Sequence, residues 1–461
     1  MGEGRPDRAR ASAAKSPAQA AGLFRWAFRS YLAAPELPQD SLVSFRRERV
    51  TDFSIAISYA LMEGAFVGVI ADKVFHVHPM WLAFLSAAPM FGNLSSVAWA
   101  RLAQHHRKVP LVVALQSLLV ALVAAVALVP ETQAGGLVLV GLMVTSRLVI
   151  GGLVTVRSVV WTQNYPGEMR ARATSRLALL AYASMTATAW LAGLALDLQP
   201  ERFGLLYVAG AALSSVGILA FAGIRVRGEE ERGAPPLGSD APAALGGLGA
   251  FLILRDDPMF ARYLTWQFLM GVSNMMTEPI VVYVVSRELA ASFSVSVALT
   301  FALPMGIGML LLPLWASYID RVHITEFRSR HSWLFVASQA ITGIGALLGS
   351  LPVIGLGRVV LGVARGGGSL AWQLGHNDFA RPERAGLYMG LHATLTGVRG
   401  AFAPFLGILL YLGFAESALL PAFGGLGGWT LLLAAATSTL AALGFEALRR
   451  RVHEGGAGRE A

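Results

Sequence analysis

Long apolar runs dominate this chain. Read for segments that cross about 30 Å of hydrocarbon at about 1.5 Å per residue, it offers twelve. The first six are 53–73, 80–100, 109–130, 136–160, 174–196 and 203–224. The second six are 261–285, 292–316, 331–350, 352–374, 385–412 and 426–446. Most joining segments are short. The two long ones are the head and a central stretch that carries Glu229, Glu230 and Glu231 and then Pro235 and Pro236 ahead of a Gly/Ala-rich run, the composition of a linker. The pattern predicts an all-α polytopic membrane protein with twelve transmembrane helices. Its expected divisions are a basic head 1–50, a six-helix bundle 51–224, a linker 225–258, a second six-helix bundle 259–446 and a tail 447–461.

No cleavable signal is expected, because the first apolar run starts near residue 53 behind Arg46, Arg47 and Arg49 with no small-residue cleavage site after it. Residues 21–33 set Leu23, Phe24, Trp26, Phe28, Tyr31 and Leu32 around Arg25 and Arg29. That pattern fits either a basic amphipathic helix on the bilayer surface or a disordered tail.

Composition agrees with a lipid solvent: 55% of residues are hydrophobic and 14% charged, against about a quarter charged in soluble domains. With no Cys, disulfides, a thiol nucleophile and Cys-ligated metal sites are excluded. The net charge of +9 first suggests nucleic acid, but its placement says otherwise. The head with its nine Lys/Arg falls on one side, as do Arg101, Arg107 and Lys108, Arg170, Arg172 and Arg176, the linker arginines, Arg321, Arg328 and Arg330, Arg381 and Arg384, and the basic tail. The other side receives Lys73, Arg202 and Arg287. This bias predicts cytoplasmic termini and linker and leaves no charge needing a nucleic-acid partner. The Ala-rich, Arg-over-Lys composition points to a bacterial inner (plasma) membrane.

The second half repeats the first at an offset of about 211 to 216 residues, as transporter repeats do. Pro89-Met90 matches Pro304-Met305, Trp99-Ala100 matches Trp315-Ala316, Arg147 and Gly151 match Arg358 and Gly362, and Trp161 matches Trp372. Glu63 matches Glu278. Charged residues and tryptophans held at one offset define two homologous halves.

On these residues the chain resembles the major facilitator superfamily from about residue 50 to 450. Arg147-x-x-x-Gly151 resembles the motif of the fourth span in proton-coupled members, and Arg358/Gly362 repeats it. The run from Asn164 to Arg172 resembles the family's cytoplasmic Pro-x-x-x-Arg turn, with a counterpart from Arg381 to Gly386. Asp320-Arg321 resembles the gating motif between spans eight and nine. The chain departs from the family between spans two and three, where no Asp stands near Ala103 or Gln104, and at His323, where Gly is usual. The resemblance implies two pseudo-symmetric six-helix bundles, a monomer, and a central cavity lined by spans one and seven. It also implies cytoplasmic gating by Asp320, Arg321, Arg170, Arg172 and Arg384.

An ionised group within a membrane span is costly unless paired or wetted, so such groups are functional candidates. Glu63 and Glu278, beside Gly64 and Pro279, are assigned to proton coupling or to a cationic substrate group. The alternative is a structural hydrogen bond between spans. Arg147, Arg157, Arg358, Arg365 and Arg399 outnumber them and suit an anionic or zwitterionic solute. Arg157 and Arg365 are placed near enough to the span ends to snorkel. Asn274, four residues before Glu278, is positioned to orient it or to meet substrate. The Trp and Phe residues are read as lipid anchors or core.

His392 joins the candidate site, while His376, Asn377 and Asp378 read as a cytoplasmic helix cap. Gly366-Gly367-Gly368-Ser369 lacks the Lys of a phosphate loop, and His105-His106 is a poor metal site. No metal or cofactor is expected. The leading expectation is therefore a secondary active transporter, not an enzyme, moving a small solute by alternating access with the proton as coupling ion. The alternatives are an intramembrane acyl or lipid-group transferase using His376 or His392 with Asp378, and a non-transporting sensor on a transporter fold.

Overall fold

A computed structural model describes residues 37–104, 106–227, 252–381, 384–416 and 421–457. The candidate surface helix at 21–33 and most of the linker lie outside them. Twelve long helices follow one another among the described residues. The first half holds α1 (Gln39–Lys73), α2 (Met80–Gln104), α3 (Lys108–Ala125), α4 (Gln133–Asn164), α5 (Gly167–Leu198) and α6 (Phe203–Ala222). The second holds α7 (Pro258–Glu288, ending in a π-helical turn), α8 (Phe293–Ile319), α9 (Ile324–Leu347), α10 (Leu351–Leu374), α11 (Ala385–Leu412) and α12 (Trp429–Ala457).

Local chemistry sets the ends. Thr132 accepts from the Gly135 amide at the start of α4, and Asp257 accepts from the Phe260 amide at the start of α7, satisfying donors that have no partner inside a helix. Eleven of the described helices are long and apolar enough to cross a membrane. The remaining one is α9. It buries Arg328, His331, Ser332, Ser338, Gln339 and Thr342 against its neighbours α10 and α12. A polar face turned into the bundle lowers hydropathy while Trp333, Ile344 and Leu347 face outward, so α9 stands as the twelfth span.

The repeat is legible in bonds as well as letters. Trp99 Nε1 on α2 donates to the Leu148 carbonyl on α4 at 2.9 Å, and Trp315 Nε1 on α8 donates to the Val363 carbonyl on α10 at 2.8 Å. Close helix approach accompanies each. A Cβ on Gly151 would stand 2.4 Å from the Gly92 carbonyl oxygen, and one on Gly362 would stand 2.7 Å from Ile307 Cβ; Gly is required at both places. Trp161 and Trp372 also donate inside the protein, to Glu48 and Thr396. These four tryptophans are half-buried, and each turns its indole N–H to a partner inside the protein.

The halves meet through α2 with α11, α5 with α8, and α1 with α7. Bonds between them concentrate at the end away from the termini. Asp72 of α1 pairs with Arg287 of α7 at 2.5 Å and accepts from the Ser286 hydroxyl, while Arg287 also donates to the Val77 carbonyl. Asp197 of α5 caps α8 from the opposite half, accepting from the Phe293 and Ser294 amides at 2.5 and 3.1 Å. That end is sealed.

Candidate functional site

In the first half, α1 breaks at Met62 and Glu63. Glu63 is extended, with φ −76° and ψ 134°, which frees the Met62 carbonyl. Arg147 of α4 answers both groups: one terminal nitrogen donates to the Met62 oxygen at 2.7 Å and to Glu63 Oε2 at 2.5 Å. Gly64 is needed beside the break because a Cβ there would lie 2.7 Å from the Leu85 carbonyl oxygen. Arg147 also lines a recess of about 170 Å³ between α2 and α4.

One layer nearer the termini lies a charge cluster that the sequence reading did not assemble. Arg157 of α4 grips both oxygens of Asp52, at 2.6 and 2.9 Å, and reaches Glu48 at 3.0 Å. Glu48 further accepts from Trp161 Nε1 and from the Tyr165 hydroxyl. Glu48, Asp52 and Arg157 are all buried, so Arg157 does not snorkel, contrary to expectation; two carboxylates on α1 hold it inside. The available signal was Glu48-x-x-x-Asp52, a spacing that puts both acids on one helix face. Both stand ahead of the apolar run that starts near residue 53, Glu48 in the stretch read as the head and Asp52 just past it.

The second half keeps the counterpart of the first pair. Glu278 of α7 takes Arg358 at 3.2 Å and Arg365 at 2.8 Å, both from α10. Arg358 also donates to the Leu299 and Thr300 carbonyls, freed by a π-helical stretch of α8. Arg365 therefore does not snorkel either; its seven-residue spacing from Arg358 aims both at one carboxylate.

The cluster of the second layer has no such counterpart. At the repeat offset of about 211 to 216 residues, Glu48, Asp52 and Arg157 fall opposite Tyr263, Gln267 and Gly368. A cavity of about 370 Å³ opens there, with Gln267 and Gly368 among its walls. Three arginines line it: Arg328 of α9, Arg365 of α10 and Arg399 of α11. Arg328 and Arg399 are 2% and 5% exposed, and among the described residues neither forms an ion pair. Arg399 donates to the Gln267 carbonyl at 2.5 Å, fitted against Gly271, where a Cβ would come within 2.2 Å of its guanidinium. Arg328 lies over the Phe445 ring at 5.9 Å. Nε of each arginine has no hydrogen-bond partner. Tyr182 of α5 brings the first half to the cavity's edge.

The other expected residues divide. Asn274 lines the cavity and accepts from Gln339 Nε2 at 2.6 Å rather than orienting Glu278. His392 is buried behind Trp372, ring centroids 5.5 Å apart, and Trp372 is what reaches the cavity. Asp378 accepts from the Ile324 amide at 2.6 Å and so caps α9; among the described residues no hydrogen bond joins it to His376 or His392. At the terminal end, Asp320, Arg321, Arg172 and Arg384 are exposed, while Arg170 donates to the Thr162 and Tyr165 carbonyls of its own half. Among the described residues, these five form no ion pair across the halves. Arg328, read as a loop charge, is the residue most misplaced by sequence.

Such a fold, two repeated helical bundles with paired charges between their spans and a cavity walled chiefly by the second, is that of a membrane transporter. The family model of the Major Facilitator Superfamily matches residues 53–404, and the chain belongs to that family. It is thus a multi-pass integral membrane protein of a family whose members bind small solutes. Among solved structures it is similar to a variant of the nucleoside transporter NupG, at TM-score 0.66 and 12% identity over 88% of this chain and 99% of that one. A variant of the peptide transporter POT with alafosfalin gives 0.65 and 14% over 93% and 98%. The inward-open xylose transporter XylE from E. coli gives 0.59 and 11% over 87% and 94%. At these identities the likeness is one of fold. No curated protein matches the chain.

Proposed function

We propose that this protein is a secondary active transporter that moves a small organic anion by alternating access, coupled to protons. The observation that carries the reading is the cavity walled by the second half and edged by Tyr182 of the first, lined by Arg328, Arg365 and Arg399 with no carboxylate among its described walls. Unpaired buried charge is costly, and an anionic solute would offset that cost by supplying the missing partner.

Arg365 supplies the coupling. It lines the cavity and is held at 2.8 Å by Glu278, so solute and carboxylate compete for one guanidinium. Protonating Glu278 hands Arg365 to the anion, which makes proton and anion bind together. Anion uptake therefore strengthens as pH falls and weakens as Glu278 ionises. Glu63 and Arg147 form the corresponding pair in the first half and set the break in α1 on which that half pivots. With the basic loops in the cytoplasm of a bacterial inner membrane, the sealed end faces outward and the cavity opens inward. Asp320, Arg321, Arg170, Arg172 and Arg384 then lie on the face that closes in the other state.

Proteoliposomes loaded with a pH indicator and challenged with a panel of carboxylates and phosphate esters test this. The expected result is internal acidification driven by an anion, present with the wild type and lost with Glu278→Gln. Acidification that persists unchanged in Glu278→Gln would remove the coupling; none with any anion would remove the transport reading.

A further inference from the structure

We propose that the cavity of the second half binds an amphiphilic organic anion, its oxyanion head held by Arg328 and Arg399 and its apolar body laid along a methionine-rich wall. This rests on the transporter reading for its physiological meaning, but the binding chemistry stands on the geometry.

The head site follows from what the repeat left out. Where the first half buries two carboxylates around Arg157, the second half has Tyr263, Gln267 and Gly368 and no described carboxylate paired with buried Arg328 or Arg399. Replacing an arginine by glycine opens room, and replacing acids by Tyr and Gln removes the internal counter-ions. What remains is a cluster in search of an anion. Planar guanidinium forks recognise carboxylate and phosphate oxygens in pairs. Arg328 and Arg399 keep Nε free of internal partners, although both are more than nine-tenths buried.

The body site follows from the rest of the lining. Met270, Met275, Met305 and Met309 face the cavity with Phe335 and Trp372. Thioethers are polarizable and unbranched, so such a wall accepts acyl or aryl bodies of differing shape. The volume of about 370 Å³ lies within the range of about 300–1,000 Å³ usual for small-molecule sites. An inorganic anion would leave that wall unused, and a hydrophilic one would leave it bare. The same chemistry is offered by a free medium-chain carboxylate and by the headgroup of an anionic lipid.

The test is equilibrium binding to the purified full-length protein in neutral detergent, by calorimetry and thermal shift. The probes are octanoate, octyl phosphate, octanol, octylammonium and acetate. Octanoate and octyl phosphate are expected to bind and stabilise, and the other three to fall short by about tenfold or more. Arg399→Gln and Arg328→Gln should each lower octanoate affinity at least about tenfold, and Met305→Ala with Met309→Ala should erase the preference for octanoate over acetate. Should either arginine variant fail to fold, Gln267→Glu, which returns a carboxylate to the cluster, should weaken octanoate in its place.

Octanol binding as well as octanoate, acetate binding as well as octanoate, or folded arginine variants with unchanged affinity would each overturn the proposal. In phosphatidylcholine nanodiscs, phosphatidylglycerol that displaces octanoate from the wild type would make the lipid the source of the head; failure to displace would make it the free anion. Octanoate binding without anion-driven acidification would overturn the transport reading alone. Acidification by a hydrophilic anion with no octanoate binding would overturn the amphiphile alone.

Discussion

The two halves of this protein share a fold and differ in how they settle their charges. In the first half each inward arginine has a resident carboxylate: Arg147 has Glu63, and Arg157 has Glu48 and Asp52. In the second half Glu278 must serve both Arg358 and Arg365, while Arg328 and Arg399 have no ion-pair partner among the described residues. A duplicated bundle has thus been divided by electrostatics into a half whose buried arginines have carboxylates of their own and a half that leaves Arg328 and Arg399 without one among the described residues. Symmetry keeps the pair nearest the break in α1, and its loss one layer away is where the proposed anion site lies.

The largest effect should come from breaking the complete half. Arg157→Gln leaves Glu48 and Asp52 facing each other without a cation, and uncompensated buried charge costs about 3–5 kcal/mol. Thermal unfolding in detergent should show a sharply lowered midpoint, and an unchanged one would deny the cluster its structural role. Next, Gln267→Glu imposes the first half's solution on the second. A carboxylate beside Arg399 should cost an anionic ligand at least about 1.4 kcal/mol, a tenfold loss, read by titration with octanoate.

Sharpening the contrast, Arg399→Gln should leave the midpoint without ligand unchanged or raised, since removing a charge with no internal counter-ion removes a desolvation penalty. It should abolish the ligand-induced rise that the wild type shows. A fall as large as that of Arg157→Gln would mean Arg399 has a partner of its own. The smallest effect is expected from Asp197→Asn at the sealed end. It exchanges a charged helix cap for a neutral one, worth about 0.3–1 kcal/mol, and should raise accessibility from that end in labelling assays on single cysteines introduced into the otherwise cysteine-free chain.

Twelve spans, the repeat, the family and the candidate residues Glu63, Arg147, Glu278 and Arg358 were legible in the sequence because each is carried by local pattern or by a fixed offset; that these four form two ion pairs was not. The cavity was not. Arg328 looks like a loop charge, since it lies four residues into α9 and only the packing of α10 and α12 around that helix takes it out of water. Arg157 looked free to snorkel because Asp52 and Glu48 stand 105 and 109 residues away. Arg365 looked terminal until α7 placed Glu278 opposite. Burial of a charge depends on the company brought by other spans, which no window along one span contains.

Asp197, at the seam away from the termini, supplies a hydrogen-bond acceptor to a helix that begins in the other bundle. Separation of the seam therefore withdraws the end cap of α8 and leaves the amides of Phe293 and Ser294 to water. If the two bundles rock as proposed, deuterium uptake at those two amides would report the fraction of time the seam stands open.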